Sequence, residues 1–268
     1  MIIDCFTFNK ELDLLEARLE YLNDVVDYFV VVEADITFSG IPREFSYVKN
    51  ISRYRKYVNK ILYFPLSVDV RDLNFSATVD RYDKSHAAWF VERTQRNHFV
   101  TALGLFNSGD RVLIGDVDEI PSKNGIAAMS RSLSDKMPMI VCQQQMFYYN
   151  FNQVQKLSWD GTIMTTVDQV RKLSAEEIRS KRSELPYVGH SGWHLSNWMT
   201  AEEIQEKIKS FSHQEYNKEQ YTNIDIIRDN LQSGRDFLGR KFNAFEPFDI
   251  GTLPDDFKNI FLKTVKTA

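Results

Sequence analysis

Cysteine is scarce in this chain of 268 residues, and its scarcity excludes two classes of site. Cys5 and Cys142 are the only cysteines, and they lie far apart in apolar stretches. They provide neither the ligand spacing of a zinc site nor a disulfide framework. We therefore expect a reducing, cytoplasmic environment.

Long apolar runs and an excess of one charge are also missing. No window approaches 18 uninterrupted apolar residues, so we expect no transmembrane helix. The first residues have no basic flank and do not resemble a signal peptide. The 33 basic and 37 acidic side chains give a net charge of −4, which argues against a general nucleic-acid-binding surface.

Apolar stretches of strand length alternate with segments of helical periodicity. Strands are predicted at 2–8, 27–33, 61–64, 111–114 and 138–149, and helices at about 9–22 (capped by Asn9), 86–105, 126–133, 200–211 and 225–231. This order predicts an α/β fold with a mostly parallel central sheet flanked by helices. No linker or repeat is seen, so residues 1–268 are expected to form one domain, with a nucleotide-sugar half at 1–122 and an acceptor half at 123–268.

Three segments have the polar or glycine-rich composition of connections. We predict that residues 66–85 form an active-site loop. We also predict that Trp159–Thr162 forms a turn between strands and that Gly189–Trp198 forms a binding loop.

A cluster of acids follows the predicted strand at 111–114. Asp116, Asp118 and Glu119 come directly after Gly115, and Pro121 prevents the ladder from continuing. Ligands of open α/β sheets bind at the carboxyl ends of strands. Crowded carboxylates require a cation, and oxygen ligands suit Mg²⁺ or Mn²⁺. The pattern predicts a site for a metal ion and a diphosphate, whereas an acid pair in a solvated surface turn is the alternative.

Several segments, in order, resemble glycosyltransferase family 17. They are 8–18, 30–33, 40–42, 116–121 and 192–194, together with 207–216 and 234–240, which are similar to microbial members. The resemblance implies a GT-A-type, Rossmann-like domain that uses a divalent metal and a UDP-sugar. It implies inverting transfer, with N-acetylglucosamine as the expected sugar, to a hydroxyl of a glycan or another acceptor. A modified nucleobase as acceptor stays open.

The resemblance also implies roles for the acids and for one histidine. Asp118 is expected to bind the metal, and Asp116 the metal or the donor ribose. His194, in the Gly-Trp-His segment, is a third candidate metal ligand, although a packed histidine beside tryptophan is the simpler interpretation.

Inverting transfer requires a base that accepts the proton of the attacking hydroxyl. Glu215 is the favoured candidate because it lies in a segment of the family. Glu119 is the second, although neighbouring side chains of an extended segment point in opposite directions, so that it is equally suited to holding the loop. Asp160 and Asp236 remain alternatives.

Further residues are candidate donor ligands, each with solvent exposure or packing as the alternative. Glu33 ends a strand at the ligand edge, Arg93 and Arg96 lie on the helix before the acids, and His213 and Arg235 lie in the later segments. The arginines are suited to pairing with a diphosphate.

Two rival functions remain open. A haloacid-dehalogenase-like phosphohydrolase would use Asp116 as nucleophile with Mg²⁺, although that motif normally follows the first strand. An inactive sugar-binding module is the other rival, which the intact acids disfavour.

Overall fold

The computed structural model describes residues 1–76, 82–240 and 245–264. Within them, ten strands join one mixed sheet of order β10-β7-β6-β8-β4-β1-β2-β3, with β9 beside β6 and β5 beside β9. The strands are β1 Ile2–Phe8, β2 Tyr28–Ala34, β3 Ile61–Leu66, β4 Arg111–Asp116, β5 Glu119–Pro121, β6 Ile140–Tyr148, β7 Asn150–Gln155, β8 Trp159–Thr166, β9 Tyr187–Ser196 and β10 Phe245–Pro247.

Helices cover both faces of the sheet. They are α1 Leu12–Leu22, α2 Ser46–Lys49, α3 Ala87–Asn97, α4 Phe99–Leu103, α5 Lys123–Ser132, α6 Val167–Lys172, α7 Ala175–Ser180, α8 Ala201–Ser210, α9 Glu219–Thr222, α10 Ile224–Ser233 and α11 Asp255–Phe261. Short 3₁₀ turns lie at Ile51–Tyr57, Arg182–Glu184, Gln214–Tyr216, Ile250–Thr252 and Leu262–Thr264. In the described parts of the chain, no helix has both the length and the apolar character needed to cross a bilayer.

The α/β class predicted from the sequence is confirmed. Strands β3, β2, β1 and β4 are parallel neighbours, and their register sets Thr7 beside Asp116 and Phe8 beside Glu33. The carboxyl ends of these strands therefore meet at one edge. The other half of the sheet is largely antiparallel, since β8 pairs with β4 and β6 in that sense.

Alternation along the strands sends side chains into separate cores on the two faces. On β1, Ile3 and Cys5 join one core and Phe6 and Phe8 the other. Side chains of successive strand residues point in opposite directions, so both faces need helices to cover them. The ligand edge is thereby held between two packed layers.

Two predicted connections are wrong, because they lie in strands. Gly161 is part of β8, where a Cβ atom would lie 2.1 Å from the side-chain oxygen of Gln144. Gly192 is part of β9, where a Cβ atom would lie 2.4 Å from the carbonyl oxygen of Ile120. These glycines permit close approach between neighbours in the sheet rather than a turn.

Helix boundaries also differ from those predicted. The helix expected at 86–105 is interrupted at His98, between α3 and α4. Asn9 does not cap α1; instead the Glu11 carboxylate accepts hydrogen bonds from the backbone N–H groups of Asn9 and Lys10. The Thr200 capping box and the helix that follows it are confirmed. Part of the loop expected at 66–85, residues 77–81, lies outside the described residues.

Candidate active site

Asp116 ends β4 at the ligand edge and is held by two arginines. Its carboxylate oxygens lie 3.2 Å from a terminal guanidinium nitrogen of Arg96 and 2.8 Å from one of Arg179. Burial alone raises the pKa of Asp116, but Arg179 and Arg96 outweigh burial and hold that pKa well below its usual range. Asp116 is therefore an ionised partner of two fixed cations.

Glu119 occupies a different environment from the other two acids. Its residue is fully buried, and its carboxylate accepts hydrogen bonds from Arg179 at 2.5 and 2.6 Å. Trp159 donates to the same group at 2.7 Å, and the backbone N–H of Asp116 donates at 3.2 Å. A carboxylate with its acceptor sites filled and no solvent access is unsuited to accepting a substrate proton. In place of the expected catalytic role, the structure gives Glu119 a loop-holding one.

Asp118 and His194 face each other across the junction of β5 and β9. His194 lies opposite Glu119 in the antiparallel pairing, and its Nε2 is 3.5 Å from a carboxylate oxygen of Asp118. The two side chains are 16% and 10% exposed, and Nδ1 of His194 is buried without a hydrogen-bond partner among the described residues. Burial raises the pKa of Asp118, but His194 and, secondarily, Lys207 lower it further than burial raises it. The structure thus brings together two of the three predicted metal ligands.

The chemistry of this pair fits a metal shared with a substrate. Among the described residues, no group of three or more His, Cys, Asp or Glu side chains is arranged to hold an ion. Mg²⁺ and Mn²⁺ at phosphate-binding sites commonly take one or two protein ligands, with phosphate oxygens and waters completing the shell. An Asp118–His194 pair suits that mode, whereas Asp116 is already engaged by arginine.

Arg18 holds the backbone of the acidic loop, residues 116–119, in place from the protein interior. This fully buried side chain makes a two-point ion pair with Asp4, at 2.7 and 2.8 Å. It also donates to the carbonyl oxygens of Asp116, Val117 and Glu119, at 3.1, 3.3 and 2.6 Å. One guanidinium thus ties helix α1, strand β1 and the loop into a single unit.

Two adjoining cavities open at this edge. The acid cavity, of about 160 Å³, is lined by residues that include Thr7, Glu92, Arg96, Asp116 and Asp118. The wide cavity, of about 620 Å³, lies between the start of α1, the loop at 37–46 and α8. The residues that line both cavities are Asn9, Glu11, Thr37, Arg43, Lys207 and Ser210. The two cavities therefore form one continuous depression.

His213 and Glu215 form a hydrogen-bonded pair near the acid cavity. Nδ1 of His213 lies 2.8 Å from a carboxylate oxygen of Glu215. The imidazole packs 5.7 Å from the ring of Phe211, which lines the acid cavity. The structure therefore brings the two predicted residues into contact with each other.

Three candidate donor ligands lie elsewhere. Glu33 is fully buried and accepts hydrogen bonds from the backbone of Ser46 and Tyr47, so its carboxylate holds α2 instead of facing a ligand. Arg93 donates to the carbonyl of Lys84, and it lines neither cavity. Arg235 pairs with Asp229 on the surface, also away from both cavities.

Sequence reasoning missed several residues of the site. Arg179 follows a capping box formed by Ser174 and Glu177, a pattern that signals α7 but not the acids its arginine meets. Arg18 lies among the leucines of α1, so its burial can be predicted from the sequence, but its interaction partners cannot. Lys207 lines both cavities, and its partners depend on how α8 packs across the sheet edge.

Known proteins share the sequence pattern of this chain. It is similar to the β-1,4-mannosyl-glycoprotein 4-β-N-acetylglucosaminyltransferases of Rattus norvegicus and Homo sapiens, each 24% identical over 278 aligned positions that cover 92% of this chain and 50% of the relative. The chain spans about half the length of these curated relatives.

Solved structures with a similar shape include a 4-diphosphocytidyl-2C-methyl-D-erythritol synthase from Anaerococcus prevotii. Its TM-score is 0.43 at 11% identity, covering 75% of this chain and 93% of that one. A galactosyltransferase in complex with donor and acceptor sugar analogues has a TM-score of 0.35 at 11% identity, covering 68% and 63% of the two chains. A family model for glycosyltransferase family 17 matches residues 1–247, and the chain belongs to that family.

Proposed function

We propose that this protein is an inverting, metal-dependent glycosyltransferase that moves N-acetylglucosamine from UDP-N-acetylglucosamine to a hydroxyl of a glycan acceptor. The observation that carries the proposal is the Asp118–His194 pair at the carboxyl edge of the parallel strands, in which Asp118 lines a cavity that also holds cationic side chains. The choice of sugar rests on the names of the curated relatives.

The continuous depression suits a nucleotide-sugar in two parts. The acid cavity, with Asp118 and Lys207 in its lining, is suited to the diphosphate. The wide cavity begins at the first strand-to-helix connection and has the volume for a nucleoside. Lys207 lines both parts, and no carboxylate of the described residues lies within ion-pair distance of its ammonium group. It is therefore available to a phosphate oxygen.

Asp118 and His194 are the residues that would hold Mn²⁺ or Mg²⁺. A bound divalent ion supplies charge neutralisation to a departing diphosphate. Asp116 would keep Arg96 and Arg179 in place beside that site, because its carboxylate already pairs with both. Glu119 would hold Arg179 from the other side.

Inversion requires the acceptor oxygen to attack the anomeric carbon directly, from the side opposite the leaving group. The base for that step is assigned to the segment His213–Glu215, because Glu119 is buried and saturated with donors. Phe211 connects that segment to the acid cavity.

Calorimetry with UDP tests the donor and metal together. Mn²⁺ should strengthen UDP binding to the wild type. In Asp118→Asn, the increase in UDP affinity caused by Mn²⁺ should be smaller by a factor of at least about ten, equivalent to about 1.4 kcal/mol. Asp168→Asn changes an exposed carboxylate of α6 and should bind UDP like the wild type.

Turnover distinguishes transfer from the rival chemistry. The wild type should release UDP from UDP-N-acetylglucosamine in the presence of Mn²⁺ and a panel of β-glycoside acceptors, and EDTA should stop the release. Hydrolysis of an aryl phosphate ester with no UDP binding would overturn the proposal in favour of a phosphohydrolase.

A further inference from the structure

The His213–Glu215 pair has the arrangement of an oriented imidazole base. The hydrogen bond joins Nδ1 to a carboxylate oxygen at 2.8 Å. An ionised carboxylate accepts hydrogen bonds and cannot donate one, so the imidazole proton lies on Nδ1. Nε2 then carries the free lone pair of the neutral ring. No residue of the described ranges hydrogen-bonds to Nε2.

Burial differs sharply between the two partners. The Glu215 side chain is 10% exposed and that of His213 is 40% exposed. The second carboxylate oxygen of Glu215 is buried without a hydrogen-bond partner in the described part of the chain. The carboxylate thus lies behind the ring, and the ring is the accessible group of the pair. This burial pattern suits a carboxylate that orients a histidine.

Aromatic side chains fix the imidazole in place. Trp89 contacts it edge-on with ring centres 4.9 Å apart, and the rings of Tyr82, Phe211 and Tyr216 lie at 5.5, 5.7 and 6.1 Å. The 3₁₀ turn Gln214–Tyr216 closes with a hydrogen bond from the backbone N–H of Tyr216 to the carbonyl of His213, at 3.0 Å. The backbone and the surrounding rings therefore both restrain the pair.

The same surroundings connect the pair to the donor site. Phe211 contacts the imidazole and lines the acid cavity. Trp89 lies three residues before Glu92 on α3, so the two share a helix face, and Glu92 lines that cavity too. His213 and Glu215 do not line that cavity themselves. Each of the two elements that pack around the imidazole, α3 and the segment after α8, contributes a residue that does.

We propose that His213 is the catalytic base, acting through Nε2, and that Glu215 is a positioning residue that holds its tautomer. The inference rests on the proposed transferase function and assigns its proton transfer. The acceptor hydroxyl gives its proton to Nε2 as its oxygen bonds to the anomeric carbon. The bond from that carbon to the diphosphate oxygen breaks, and its electron pair leaves with UDP. Histidine is the side chain that most often serves as a general base in enzymes.

Kinetics of two variants and a control test the assignment. His213→Gln should lower kcat for UDP release from UDP-N-acetylglucosamine by a factor on the order of 10² to 10⁴, with Mn²⁺-dependent UDP affinity unchanged. Glu215→Gln should lower kcat less. His190→Gln, at an exposed histidine, should behave like the wild type. Added imidazole should restore part of the activity of His213→Ala.

Nitrogen NMR of the histidines provides a readout that needs no turnover. In the neutral ring of the wild type, Nδ1 of His213 should be the protonated nitrogen and Nε2 the bare one. Glu215→Gln should shift the population toward the opposite tautomer. A wild-type Nε2 that carries the proton would overturn the inference.

The failure of this inference differs from failure of the proposed function. Absence of Mn²⁺-dependent UDP binding in the wild type refutes the transferase proposal. A different outcome would refute only the histidine base. If His213→Gln binds UDP and turns over fully while Glu215→Gln loses turnover, then Glu215 is the group that accepts the proton.

Discussion

Replacing Arg179 with methionine should destabilise the protein strongly, because this arginine is the main partner of a buried carboxylate. Arg179 donates to Glu119 at 2.5 and 2.6 Å, to Asp116 at 2.8 Å and to the carbonyl of Gly161 at 3.2 Å. Its side chain is 7% exposed and that of Glu119 is 1% exposed. Methionine preserves most of the volume but leaves the Glu119 charge without its cation.

The magnitude follows from breaking a buried ion pair on one side. Such changes cost about 3 to 5 kcal/mol, since the remaining charge stays buried without compensation. Trp159 and the backbone N–H of Asp116 still donate to Glu119, which favours the lower end of that range. With a urea dependence of about 3 kcal/mol per molar, the unfolding midpoint should fall by about 1 to 2 M.

Urea unfolding followed by circular dichroism measures this shift. Arg182→Met is the matched control: its guanidinium lies 4.4 Å from the ring centre of Trp159, a contact worth about 0.5 to 1 kcal/mol. Glu119→Gln combined with Arg179→Met should recover at least about 1 kcal/mol, because the charge left behind is removed. Equal midpoints for Arg179→Met and Arg182→Met would refute the reasoning. A stable Glu119→Gln variant without turnover would restore Glu119 as the base.

Gly192→Ala should cost about 1 to 3 kcal/mol in unfolding free energy, because its Cβ atom would meet the backbone of Ile120, whereas Gly189→Ala meets only ordinary contacts. Matching urea midpoints for these two variants would contradict the close approach of β9 and β5. Lys207→Ala should weaken UDP binding by about tenfold or more in low salt, since a charge-assisted hydrogen bond contributes about 1.5 to 3 kcal/mol. Calorimetry compares it with Lys172→Ala on the far helix α6, and equal UDP affinities would remove Lys207 from the donor site.

Much of the parallel half of the sheet is readable from the sequence, because local composition determines it. The strand that ends at Asp116 is apolar and buried from Val112 to Ile114, as expected of a strand covered on both faces, and the acids that follow interrupt that pattern. The Thr200 capping box carries its own start signal for a helix. In each case the deciding interactions lie within a few residues of one another.

The rest depends on contacts between distant segments. From the sequence, Gly161 and Gly192 are interpreted as turn residues. Glycine is required at both positions because a Cβ atom would collide with a residue 17 or more positions away. The contrast between Asp118 and Glu119 arises in the same way: β9 brings His194 to one, and α7 brings Arg179 to the other. A sequence shows that acids are crowded, but not which of them is paired.

The buried Arg18 couples ligand binding to local unfolding in the first helix. Opening of α1 would withdraw its guanidinium from Asp4 and from the carbonyls of the acidic loop at once, so these segments should open as one cooperative unit. Amide protons of α1 should therefore exchange with solvent at a rate set by the stability of the loop. A donor that stabilises the acids would therefore slow exchange along the whole of α1, beyond the first turn, which lines the wide cavity.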